Sequence, residues 1–274
     1  MKMNRPYRLC GLLGAALCGV QLSAHAILVG PYTPDAFTLH LWHFDESSTP
    51  VVDYAPTGGT NLTSVANGAT LGTASFAGFG SALNTYDGGP NGTNAVDKDA
   101  VLSARALANS TADNVLTAYA DAATGAFTYE AVVRVDFDPL ANYATVANGG
   151  NGRNTPFFLF GGEDDANAGR LFQFRLDPIG FDPDGTGSIP TLTQPSLEFI
   201  NLNKGTSVQN IVVPIPTTGP DAIASNQWYH VAVVYDGNQG QPNNLKFYWT
   251  RMDPTRTAAS EIATATMNLD LATG

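Results

Sequence analysis

The sequence predicts an all-β fold, an antiparallel sandwich of two sheets, and three observations lead there. The first is the segment 226–237, NQWYHVAVVYDG. In an extended strand Trp228, His230, Ala232 and Val234 share one face, and Tyr229, Val231, Val233 and Tyr235 share the other. Both faces are largely apolar, so the strand is expected to lie between two layers. The second is punctuation: short β-rich runs alternate with clusters of Gly, Asn, Asp and Pro. The third is the weakness of any helical period, in a chain with only 14% charged residues.

The elements follow in chain order. Lys2, Arg5 and Arg8, the apolar run 9–22 and the small-x-small site Ala24-His25-Ala26 read as a cleaved secretory signal, residues 1–26. The run is too short and too rich in Gly and Ala for a membrane span. Strands are expected at 37–44 (FTLHLWHF), 69–76, 82–86 and 127–136 (FTYEAVVRVD). Further strands are expected at 157–160, 171–176, 196–201, 207–215, 228–235, 245–251 (LKFYWTR) and 262–269. The pair 228–235 and 245–251 suits a hairpin, with Asp236-Gly237 ending the first strand as a turn. Residues 100–123 are Ala-rich and suit one short helix or turn within a loop. Segments 177–195 and 214–225 read as insertions in a single domain, 27–274.

Composition narrows the function. Both cysteines, Cys10 and Cys18, fall inside the leader, so the remainder has no disulfide and no Cys-ligated metal. The net charge is -11, and losing the leader's three basic residues makes it more acidic. Such a surface repels nucleic acid and anionic lipid. The expected location is secreted, cell-surface or periplasmic.

Four ordered segments resemble the laminin-G-like (concanavalin A-like lectin/glucanase) jelly-roll family. LWHFDE at 41–46, with Val52-Asp53 after it, is similar to the family's opening W-x-F-D-E strand and following V-x-D. FGSAL at 79–83 and Tyr86-Asp87-Gly88 resemble its G-x-A-L…F-D-G, and 127–133 its F-T-x-x-A-W-V strand, with Val132 where Trp is frequent. Trp228–Gly237 with 245–249 resembles its W-x-H-V-A hairpin. The resemblance implies a jelly roll that binds a glycan or a surface partner through loops at one rim, at times with calcium. It also implies closing strands beyond Gly274, so the domain is expected to be incomplete and 37–44 to carry an unpaired edge.

Catalytic patterns are not evident. The related glucanases carry E-x-D-x-x-E on one strand, where two acids can flank a glycosidic bond. Among Glu46, Glu130, Glu163, Glu198 and Glu261, only Glu163 has an acid two residues on, Asp165, in the loop GGEDDANAG. No nucleophile elbow is present. His230 is expected to be a hydrogen-bonded core histidine; His40 and His43, three apart on an extended strand, face opposite sides and do not chelate together. Calcium candidates are Asp45, the Asp182-Pro183-Asp184-Gly185 stretch and the cluster at 163–165, since hard cations want several loop oxygens. Acids solvating a turn are the commoner explanation of all three. Tyr119, Tyr143 and Phe181 are loop aromatics on which a pyranose could stack, though plain packing is the more frequent role of such rings; Trp42, Trp228 and Trp249 sit on strands and are expected in the core. The expectation is therefore a non-enzymatic recognition module. Two alternatives stay open: a glycoside hydrolase or lyase of the same fold, with a dispersed acid pair, and a structural module of a longer adhesion or surface protein.

Overall fold

The structure, a computed structural model, describes residues 28, 30–56, 61–65, 69–84, 102–103, 120–121, 123–136, 138–142, 157–162, 172–201 and 209–268. Among the described residues it is all-β and every strand pair is antiparallel. Among the described residues, twelve strands form two four-stranded and two two-stranded sheets.

The larger sheets make the body. Strand β5 (Phe127–Val135), β10 (Gln227–Tyr235), β11 (Leu245–Arg251) and β12 (Glu261–Ala265) run in the order β12-β11-β10-β5. Strand β6 (Phe157–Gly162), β7 (Phe172–Asp177), β8 (Ser196–Asn201) and β9 (Gln209–Pro214) form a sequential meander. The chain thus leaves the first sheet after β5, builds the second, and returns so that β10 pairs with β5 from Gln227↔Val135 to Tyr235↔Phe127.

The two sheets face each other across one apolar layer. Tyr229, Val231, Val233 and Tyr235 of β10 and Leu245, Phe247 and Trp249 of β11 are buried there. Opposite them lie Phe172, Phe174 and Leu176 of β7, Leu197 and Phe199 of β8, and Ile211 and Val213 of β9. Rings stack across the gap, Phe127 on Phe199 at 5.2 Å and Tyr129 on Phe172 at 4.6 Å between centroids. β-branched and aromatic residues at every second position suit this half-buried pleated surface.

The second face of β10 is closed as well. His230 is 1% exposed and Ala232 is buried, while Trp228 is half-buried under the Arg134 guanidinium at 5.4 Å. Strand β10 is therefore interior on both faces, as its pattern predicts. The hairpin to β11 also forms, through a longer connection than a tight turn. Gly237 adopts φ 84°, and a Cβ there would come within 2.9 Å of Thr124. Buried Asn244 ties this connection down: its Nδ2 donates to the carbonyls of Asn238 and Met267, and its Oδ1 accepts from the Met267 amide.

The loop 215–226 is part of the core rather than an appendage. Ile215 and Ile223 are buried. The Tyr229 hydroxyl donates to the Ala222 carbonyl at 2.7 Å and accepts from the Ala224 amide at 2.8 Å. Trp249 Nε1 donates to the Asp221 carbonyl at 3.0 Å. Across the open side of the sandwich Gln209 clamps the segment after β12, giving a hydrogen bond to the Thr266 carbonyl and taking one from the Asn268 amide.

The amino-terminal expectation is corrected. Residues 37–44 do not form a strand: they contribute one isolated bridge, Trp42↔Asp53. Among the described residues no strand lies alongside to complete a ladder, and Phe44 at φ 59° breaks the extended path. Side chains hold this segment instead. Asp53 takes the Leu41 and Ala55 amides and meets His40 Nδ1 at 2.6 Å. His43 Nε2 lies 2.8 Å from the Tyr32 carbonyl, with its ring stacked on Tyr54. Strands β2 (Thr70–Ala74) and β3 (Ser81–Asn84) fall within or beside the expected runs 69–76 and 82–86, and they pair antiparallel. The pair β1 (Ser64–Val65) with β4 (Leu102–Ser103) is an addition; β4 falls within 100–123, and residues 104–119 of that candidate helix or turn lie outside the described residues.

Candidate functional site

The chemistry-bearing residues concentrate on the outward face of the second sheet. Along β7, FQFRLD, the odd partners Phe172, Phe174 and Leu176 point into the core, which sends Gln173, Arg175 and Asp177 the other way. Along β8, SLEFIN, the same alternation sends Ser196, Glu198 and Ile200 outward. The register pairs Arg175 with Glu198 and Asp177 with Ser196, so Asp177 and Glu198 are diagonal neighbours.

This outward face is sealed. Arg175 is 6% exposed and Asp177 and Glu198 are 0% exposed. Loop 178–195 folds back over them. Phe181 lays its ring on the Arg175 guanidinium at 4.9 Å. Arg175 Nη2 donates to the Pro183 carbonyl at 2.9 Å, and Asn210 Nδ2 of β9 reaches the same oxygen at 3.3 Å.

Within the seal, Arg175 binds Glu198 bidentately: Nε donates to Oε2 at 2.8 Å and Nη2 donates to the same oxygen. Arg175 Nε also lies 2.9 Å from Asp177 Oδ1. Asp177 Oδ2 and Glu198 Oε1 are buried with no hydrogen-bond donor among the described residues. Burial pushes the Asp177 carboxyl up to about 9; the hydrogen-bonding proximity and charge of Glu198 add to the rise, and Arg175 opposes it. The arrangement places two buried carboxyls beside one guanidinium.

Loop 178–195 presents its polar surface outward. A shallow open depression is lined by Asp184, Thr186, Ile189 and Asn210. Asp184 takes the Thr186 amide on Oδ1 at 2.9 Å and the Ile189 amide on Oδ2 at 2.8 Å. These bonds, the Thr186 amide first, hold its carboxyl below the usual range.

The sequence-derived candidates fall as follows. Phe181 is half-buried, with one face given to Arg175. Tyr119, Tyr143 and the 163–165 cluster lie outside the described residues. Asp45 caps a turn through the Ser81 amide at 2.8 Å; Gly80, at φ 72°, lets that carboxylate approach where a Cβ would collide. Asp182 takes the Gly185 amide at 3.2 Å and sits beside Asp184. Among the described residues, no group of three or more His, Cys, Asp or Glu converges as a metal would need. Asp45 and Asp182 each accept a backbone amide on Oδ1, and Asp184 accepts one on each oxygen.

His230 matches its expected role: buried, with Nε2 at 3.1 Å from Glu130 Oε2. Burial first, and Glu130 second, raise the Tyr32 hydroxyl. Trp249 is in the core, whereas Trp42 and Trp228 are half-buried, Trp42 lying flat on His40 at 5.1 Å. Asp177 and its pairing with Glu198 were not found from the sequence. The available signal was three charged side chains at alternate positions of β7 and β8, which reads as a solvated face until the loop is seen to cover it. Comparison with protein-family models, with curated proteins and with solved structures gave no match.

Proposed function

We propose that the protein is an exported, non-catalytic recognition module of laminin-G-like jelly-roll type, binding a glycan or a surface protein through loop 178–195. The observation that carries this reading is the depression formed by Asp184, Thr186, Ile189 and Asn210. A carboxylate, a hydroxyl, an amide and an aliphatic patch make up the mixed lining that recognises a polyhydroxylated or peptide surface. The scaffold beneath it supports the reading too. Asp184 is tied to two amides of its own loop, and Pro183 is tied to β7 and β9, so the surface is preorganised. The acid pair Asp177 and Glu198 lies beneath the loop, out of reach of a glycosidic bond.

A glycan array and a cell-surface binding assay, each run with calcium and with chelator, test the proposal. Binding is expected, and the double substitution Thr186→Ala with Asn210→Ala should weaken it without loss of fold. Absence of any binding, or full binding by the double variant, refutes the loop as the recognition surface. Binding lost in chelator would bring calcium in as a participant.

A further inference from the structure

The Arg175–Asp177–Glu198 cluster is more than a buried salt bridge, because its charges do not balance. One guanidinium faces two carboxyls, and both carboxyls are fully buried. Fully ionised, the site would hold an uncompensated negative charge out of water, which proteins avoid. Asp177 Oδ2 and Glu198 Oε1 have no hydrogen-bond donor among the described residues, and Asp177 Oδ1 has the Arg175 Nε contact at 2.9 Å. A proton placed between Asp177 and Glu198 supplies a donor and removes the surplus charge.

Among the described residues, the groups around the cluster offer no second cation. From β7 come Gln173, whose Oε1 lies 3.4 Å from Arg175 Nη1, and Arg175 itself. From β9 comes Asn210, neutral and engaged with Pro183. From the loop come the Phe181 ring and the Pro183 carbonyl, while Asp182 and Asp184 are turned to amides of their own turns. The loop's attachment therefore runs through Arg175, whose position depends on the charge state of its two acids.

We propose that one proton shared by Asp177 and Glu198 latches loop 178–195 onto the second sheet, and that losing this proton to water releases the loop. The closed form keeps the proton. In the open form water reaches both acids, and each ionises as an ordinary carboxylate. Opening then expels one proton, so it becomes easier as pH rises through the interval between the open and closed titrations. The latch does not depend on what the loop binds.

Hydrogen exchange of loop 178–195, corrected for the intrinsic pH dependence of amide exchange, tests this directly. In the native protein the loop's protection should fall with pH between about pH 5 and about pH 8, approaching about tenfold per unit for a one-proton opening. The Asp177→Asn variant, which mimics the protonated acid, should give a flat profile. Amides of β10 should stay protected in both. An infrared carbonyl band from a protonated carboxylic acid should be present at neutral pH in the native protein and missing in Asp177→Asn. A flat native profile, an equally steep Asp177→Asn profile, or parallel loss of protection in β10 overturns the proposal. If Asp177→Asn fails to fold, the native protein decides alone, and absence of the carbonyl band at neutral pH overturns it.

Discussion

Strand β10 and residues 37–44 are made of similar side chains, a mixture of aromatic, aliphatic and His at alternating positions. Their surroundings differ. Strand β10 is hydrogen-bonded to β5 along one side and to β11 along the other, and both of its faces are covered. Residues 37–44 join their neighbourhood through one bridge and a few side-chain bonds, with Phe37 90% exposed. Alternation specifies what a strand would bury; a strand forms only when partners on its edges accept the backbone groups. One region is held by ladder and core, the other by polar clasps centred on Asp53.

The contrast makes graded predictions. Trp249→Ala should cost about 3–5 kcal/mol and reduce cooperative unfolding of the whole sandwich, measured by denaturant titration. It removes a fully buried indole stacked on Tyr229 at 4.3 Å and the hydrogen bond to Asp221. A cost under about 1 kcal/mol would mean that β11 is not central.

Glu198→Ala should come next, at about 3 kcal/mol, because it removes the two charge-assisted hydrogen bonds that Glu198 accepts from the buried Arg175 guanidinium and leaves Asp177 as its one remaining acidic neighbour among the described residues. An Asp177→Asn background should not rescue it. Unchanged stability in Glu198→Ala would open the seal over β7 and β8 to doubt.

The pH dependence has a definite sign. Burial, the main cause, pushes the Asp177 carboxyl from its ordinary 3.8 up to about 9 in the fold. Between those values the folded chain keeps a proton that the unfolded chain has shed, so this group's stabilising contribution is full below the lower value and is lost as pH rises through the upper one. The slope approaches about 1.4 kcal/mol per pH unit at most. Thermal unfolding at a series of pH values should show Asp177→Asn losing less stability with rising pH than the native chain. An identical slope in both would contradict the assignment.

His40→Ala should have the smallest effect, about 1 kcal/mol, and confined to residues 30–56. It deletes the contact with Asp53 and the stack on Trp42. Global unfolding should shift little, while local exchange around Leu41 and Tyr54 should quicken. A global loss comparable to that of Trp249→Ala would erase the distinction between the two regions.

What was legible in the sequence follows the same division. Strands whose apolar alternation also had partners, β5 and β7 to β11, were readable within two residues of their ends, whereas β12 ends at Ala265, four residues short of the expected 262–269. The hairpin of β10 and β11 was readable because Asp236-Gly237 marks its start. Residues 37–44 were misread because nothing local reports the absence of a neighbouring strand. The acid pair escaped for a related reason. Asp177 and Glu198 are far apart in the chain and meet only through the β7–β8 register, whereas a search along single strands finds acids two residues apart. Loop 178–195 was recognised as a loop, but its length and composition do not tell that it folds back over Arg175.

The pairing of β10 is most directly tested by cross-strand backbone proton contacts in solution. Val231 should report to Ala131 on one side and to Trp249 on the other, while residues 37–44 report Trp42 to Asp53. Contacts from Val231 to one side alone, or a helical contact pattern through 227–235, would contradict the interior position of this strand and the two-sheet arrangement built around it.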